Sequence, residues 1–122
     1  MKADIEQLQG TWNVIDLEVE GQKIPAGVFA GSKIVIAGNA FTTVGMGATY
    51  EGTLDLDTGS RPKSVDMVFS EGPERGNTSF GIYELEEDSW KLCLTVSNTA
   101  RPKAFATMPG SGHAFEILRR NK

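Results

Sequence analysis

The chain has 122 residues, of which 39% are hydrophobic and 23% charged, and its formal charge is −4 from 12 basic and 16 acidic side chains. That length is one domain, residues 1–122, long enough to bury about two thirds of its unfolded surface in a single core. The acidic balance argues against nucleic acid or an anionic membrane surface as the main partner, since both demand a basic footprint.

Met1-Lys2 opens onto a polar stretch with no apolar run long enough for a signal peptide or a membrane span. That fits a cytoplasmic chain, or an exported one whose leader has been removed. Asp4-Ile5-Glu6-Gln7 reads as one helical turn, with Asp4 as the cap and Gln7 reaching back to it. From Gly10 onward no stretch of ten or more residues holds a helical apolar period. Short β-rich runs recur instead, at 10–20, 33–37, 40–44, 48–57, 63–70, 77–85, 89–96 and 113–120, separated by Gly, Pro, Asn and Asp.

In the first run the alternation slips. Trp12 and Val14 share one face, while Ile15, Leu17 and Val19 take the other parity. A bulge near Val14 or Ile15, or burial on both faces, reconciles them. Gly38-Asn39 is short enough for a two-residue hairpin. Leu54 and Leu56 oppose Thr53, Asp55 and Asp57. Val65, Met67 and Phe69 oppose Ser64 and Asp66. The sixth run is ambiguous between a Phe80/Ile82 face and a Tyr83/Leu85 face. Trp90, Leu92, Leu94 and Val96 form a clean stripe with Cys93 on the opposite side. Cys93 is the only cysteine, so no internal disulfide and no cysteine-based zinc site can form.

Eight sequential strands with tight connections predict an all-β fold, an eight-stranded antiparallel up-and-down barrel entered through a short helical turn. A sandwich is the alternative. In the barrel, loops alternate between two ends. Trp12 and the C-terminus share one end. The longest loops, 21–32 and 97–112, gather at the other, the end where ligand entry is expected. The same parity brings Arg120, or failing it Arg119, onto the Trp12 indole as a cation–π contact that plugs the first end.

Gly10-Thr11-Trp12 at the first strand and Arg119-Arg120 at the last resemble the lipocalin pattern. Leu8-Gln9-Gly10-Thr11-Trp12, Arg61-Pro62-Lys63-Ser64-Val65-Asp66-Met67, Gly81-Ile82-Tyr83-Glu84-Leu85, Lys91-Leu92-Cys93 and Arg101-Pro102, in that order along nearly the whole chain, resemble a lipocalin-like family of small bacterial domains of unassigned function. The resemblance implies a barrel and brings no catalytic residues with it.

Candidate chemistry is sparse. His113, the only histidine, ends a glycine-rich loop and reads as solvated. Cys93 reads as a small packed residue. Asp55, Asp57 and Asp66 fall on a polar outer face. An enzyme would have to recruit carboxylates such as Glu51, Asp55 and Asp66. Arg61-Pro62-Lys63 and Arg101-Pro102-Lys103 are too far apart in a meander to clamp one anion. Arg101, Lys103 and His113 are expected at the open end, where they could meet a carboxylate head group. The reading is therefore a non-catalytic barrel without cofactor or metal. It binds a small apolar or amphipathic ligand through Phe29, Met46 and Met108 at the mouth, with Met67, Phe69 and Phe80 inside. The interior wall is expected from Val14, Leu54, Leu56, Ile82, Leu92, Leu94, Phe115 and Ile117 as well. So many large side chains leave a second possibility: a barrel filled by its own side chains, serving as a protein-interaction or structural module. Oligomeric state is not encoded in any of these features.

Overall fold

A computed structural model describes residues 3–45, 48–96 and 99–121. The strands are β1 (Gly10–Val19), β2 (Gln22–Lys23), β3 (Lys33–Ala37), β4 (Ala40–Val44), β5 (Tyr50–Asp57), β6 (Lys63–Glu71), β7 (Thr78–Glu86), β8 (Ser89–Thr95) and β9 (His113–Arg120). Two single-turn helices accompany them, α1 (Asp4–Gln7) and α2 (Ala26–Phe29). β1 pairs antiparallel with β3, each strand from β3 onward pairs antiparallel with the next, and β9 returns to pair with β1 along its length. Eight long strands thus close into an up-and-down barrel without an open edge, the predicted architecture. The ninth, β2, only folds back on the end of β1.

The expected slip in β1 is a bulge. The β1–β9 register jumps between Val14 and Asp16, leaving Ile15 outside at 47% exposure. Trp12 and Val14 before the bulge, and Leu17 after it, therefore all point inward.

Inward positions alternate on every other strand. The sixth run resolves in favour of Tyr83 and Leu85. Tyr83 is buried in the core, while Phe80 lies on the outer face at 39% exposure. Ile82 is buried too, but outside the barrel, paired with Cys93 under the loop that follows β8. In β9 the inward residues are Ala114, Glu116 and Leu118. The expectation that Phe115 and Ile117 line the interior is corrected: both are only partly buried, and the Phe115 ring meets Phe105 of the loop at 6.1 Å.

The lower half of the barrel is solid. Trp12 and Trp90 pack edge to face at 5.6 Å, fully buried with Leu8 and Leu118. The Arg120 guanidinium covers this plug, 4.3 Å from the Trp12 ring centroid. It donates to the carbonyls of Gln7 and Gln9 and to Asp88 Oδ1. The Trp12 Nε1–H donates to the Leu8 carbonyl at 2.8 Å. Helix α1 lies across this end. Asp4 does not cap it: the N-cap is Ala3, and the Asp4 carboxylate instead accepts from Tyr83 Oη at 2.7 Å and Lys63 Nζ at 2.9 Å. Gln9 holds the β3–β4 hairpin by a two-way bond with Gly38, each 2.8 Å.

Candidate functional site

At the other end the barrel is hollow. β3 pairs with β1 only over Gly10 to Asn13, near the plug. Toward the mouth, β1 is covered instead by β2 and α2, and Phe29 of α2 is buried into the core there. Across the barrel the β7–β8 ladder ends at Gly81–Leu94. Beyond it, side chains hold the wall together: Ser79 Oγ donates to the Thr95 carbonyl at 2.7 Å, and the Phe80 amide donates to Thr95 Oγ1 at 3.0 Å.

Between these walls lies a cavity of about 730 Å³. Ile34, Met67, Phe69 and Leu94 give it an apolar body, Thr43, Tyr50 and Ser79 a few polar atoms, and Glu74 and Asn77 part of its rim. That volume falls within the roughly 300–1,000 Å³ of typical small-molecule sites. Ala114, a small inward residue of β9, lies in the cavity lining, while Gly81 on β7 lets β8 pack closely beside it. A Cβ on Gly81 would stand 2.4 Å from Leu94 Cδ2 and 2.7 Å from the Cys93 carbonyl, so only glycine fits that wall.

One charged side chain lies inside. Glu116 points inward from mid-β9, opposite Leu92 of β8 and Leu17 of β1, and lines the cavity. It is 8% exposed, and its Oε1 accepts no hydrogen bond from any described residue. Desolvation pushes the carboxyl up to about 7, because burial disfavours its charged form.

The predicted site residues separate into two groups. Met67, Phe69 and Phe80 border the cavity, Phe80 at the edge where β7 and β8 part. Phe29 is a core residue of the mouth rather than part of the lining. Met46 lies outside the described residues. Arg101, Lys103, Met108 and His113 do not gather at the mouth, which corrects the expectation of a basic head-group site there.

The loop that carries the first three is laid along the outer wall. Arg101 donates to the carbonyls of Val65 and Gly81 at 3.2 and 2.8 Å, pairs with Asp66 at 2.6 Å, and stacks over Phe80 at 5.3 Å. His113 Nε2 stands 2.9 Å from the Ala100 carbonyl. Lys103 is exposed on the same loop, and Met108 is 68% exposed beyond the β1–β2 hairpin. Thr107 fixes that stretch by donating to Glu18 and accepting from the Gly21 amide.

Cys93 is buried beneath this loop. Burial raises its thiol above the usual range, and its Sγ stands 3.7 Å from the Ala106 carbonyl. Asp55 and Asp66 are cross-strand neighbours on the outer face, with Asp66 engaged by Arg101. Among the described residues, no three or more His, Cys, Asp or Glu side chains converge as metal ligands would. No described helix is long and apolar enough to cross a membrane.

Glu116 is the residue that sequence reading passed over, although a signal for it existed. The Leu118–Arg120 parity that carries Arg120 to Trp12 also carries Glu116 inside. The large side chains of Phe115 and Ile117 drew the opposite reading.

Fold and site together define a closed β-barrel with one end plugged and a ligand-sized hollow at the other. A comparison with known proteins brings no match: no family model, no curated protein and no solved structure aligns with the chain.

Proposed function

We propose that the protein is a non-catalytic, lipocalin-like barrel that binds one small amphipathic molecule in the cavity opposite the Trp12 plug. The observation that carries this reading is the volume and lining of that cavity, about 730 Å³ with an apolar body from Ile34, Met67, Phe69 and Leu94 and polar side chains such as Thr43, Tyr50, Ser79 and Thr95 around it. Of the two sequence-based alternatives, a solid barrel accounts for the lower half of the interior and leaves the upper half without a role. An empty apolar hollow of this size forgoes packing that larger side chains at Ala114 and Thr43 would supply, a loss that a bound ligand would offset.

The test is a titration with N-phenyl-1-naphthylamine, which brightens on entering an apolar site. Saturable, one-site binding is expected. Ala114→Phe, which fills the cavity from β9, should weaken it at least about tenfold, the equivalent of roughly 1.4 kcal/mol. Thr43→Phe fills it from the opposite wall and serves if the first variant is poorly folded. Absence of saturable binding by the unaltered protein, or undiminished binding by a folded, filled variant, overturns the proposal.

A further inference from the structure

A single charge inside an apolar cavity constrains what the cavity can hold. The Glu116 carboxylate is an acceptor only, and its Oε1 has no donor among the described residues. The groups around it cannot supply one as an ion. β8 presents Leu92 and Leu94, and β1 presents Leu17. On the far wall, Tyr50 and Glu74 are the titratable side chains in the lining, and neither is a cation. Among the described residues, the inward-facing cations Arg120 and Lys63 lie at the plugged end and are engaged there. Arg120 bonds Gln7, Gln9 and Asp88, and Lys63 pairs with Asp4. His113 faces outward, at the Ala100 carbonyl. Buried charges are ordinarily paired, and among the described residues no cation is placed to pair with ionised Glu116, which leaves that role to a bound molecule.

We infer that the cavity selects a ligand with an aliphatic or aromatic body and a protonated amine head, the amine lodged against Glu116 at the cavity floor. This rests on the binding role proposed above and adds the head-group chemistry. Orientation follows from the layout. Glu116 sits halfway down β9, above the Leu118–Trp90–Trp12 plug, so the amine enters first and the apolar body fills the space toward Met67, Phe69 and Leu94. Carboxylate heads are disfavoured, because Glu116 in the floor and Glu74 at the rim have the same sign as the ligand. The acidic side chain also sets a direction with pH. With its carboxyl pushed up to about 7, Glu116 is mostly neutral at pH 6 and mostly ionised at pH 8, so amine binding tightens about tenfold across that interval.

The experiment is displacement of bound N-phenyl-1-naphthylamine by decylamine, decanol and decanoate, with the unaltered protein and with Glu116→Gln. At pH 8 decylamine should displace the probe at least about tenfold more effectively than decanoate, as a charge-assisted hydrogen bond to a buried carboxylate implies. Glu116→Gln keeps the shape of the side chain. It should still bind the probe, lose the amine preference over decanol, and lose the tightening between pH 6 and pH 8. Decanoate binding as well as decylamine, or an amine preference that survives in Glu116→Gln, overturns this inference while leaving the binding role in place. Failure of both proteins to bind the probe overturns the binding role and this inference together.

Discussion

The Arg120 guanidinium carbon stands 4.3 Å from the centroid of the Trp12 ring, joining the last strand to the first across the closure of the barrel. The contact is more than a cation over a ring. The same guanidinium satisfies the carbonyls of Gln7 at the end of α1 and of Gln9 just before β1, and reaches Asp88 in the β7–β8 turn. Arg120→Ala should therefore cost about 2–4 kcal/mol, combining the cation–π contact with charge-assisted bonds whose acceptors are left unpaired. Arg120→Lys should recover less than half of that, since an ammonium cannot fork to several acceptors in one plane. Urea unfolding of the two variants measures both, and ligand affinity should not follow the stability loss, because the plug and the cavity lie at opposite ends.

Asp4 fastens α1 over the plugged end. Burial alone would raise its carboxyl, but the hydrogen bonds from Tyr83 and Lys63 together outweigh burial and hold it below the ordinary aspartate value. The same contact, after burial, pushes the Tyr83 hydroxyl upward. A carboxyl lowered on folding contributes stability that is present above its unfolded value near 3.8 and lost as pH falls through the folded value. Asp4→Asn should cost about 1–2 kcal/mol at neutral pH. Its acid unfolding curve should converge with that of the unaltered protein below pH 4.

Glu116 carries the opposite sign. A carboxyl raised from 4.5 to about 7 on folding binds more protons in the native state between those values. Its contribution is full below pH 4.5, declines as pH rises toward 7, and is gone above it. Without ligand, raising the pH from 5 to 8 should reduce stability by roughly 2–4 kcal/mol through this group. Glu116→Gln should flatten that slope and be the more stable protein at pH 8. Thermal melts across the pH series check it.

Arg101 straps the outer wall and should behave as a structural residue. Its side chain is about one third exposed, so the ion pair with Asp66 is partly screened, and the bonds to the Val65 and Gly81 carbonyls are the larger contribution. Arg101→Ala should cost about 1–2 kcal/mol and speed proteolysis of the loop after β8. Probe binding should stay within about twofold, less than 0.5 kcal/mol. A larger loss of binding would return Arg101 to the ligand site.

Where side-chain period and loop parity spoke together, the sequence was sufficient. The Trp12–Arg120 contact, the bulge at Ile15 and the order of the strands were all legible. It was insufficient where a strand is covered on both faces. Phe115, Ile82 and Cys93 are packed without being inside, because the loop holding Phe105 and Ala106 lies over them. Alternation alone cannot tell an outer layer from a core. The long loop was read as a rim for the same reason: the partner that turns Arg101 away from the mouth, Asp66, lies 35 residues away in sequence. The hollow owes part of its room to Ala114, a small inward residue whose effect depends on what stands across the barrel from it.

The most direct measurement is methyl NMR of the protein titrated with decylamine at pH 8. Shifts are expected at Met67, Leu94, Ile34 and Ala114, which line the cavity, with Leu8, Leu56 and Leu85 near the plugged end unmoved. Shifts concentrated at Leu8, Leu56 and Leu85, or confined to Val28 and Met108 on the outside, would contradict a barrel that is closed at Trp12 and binds at its other end.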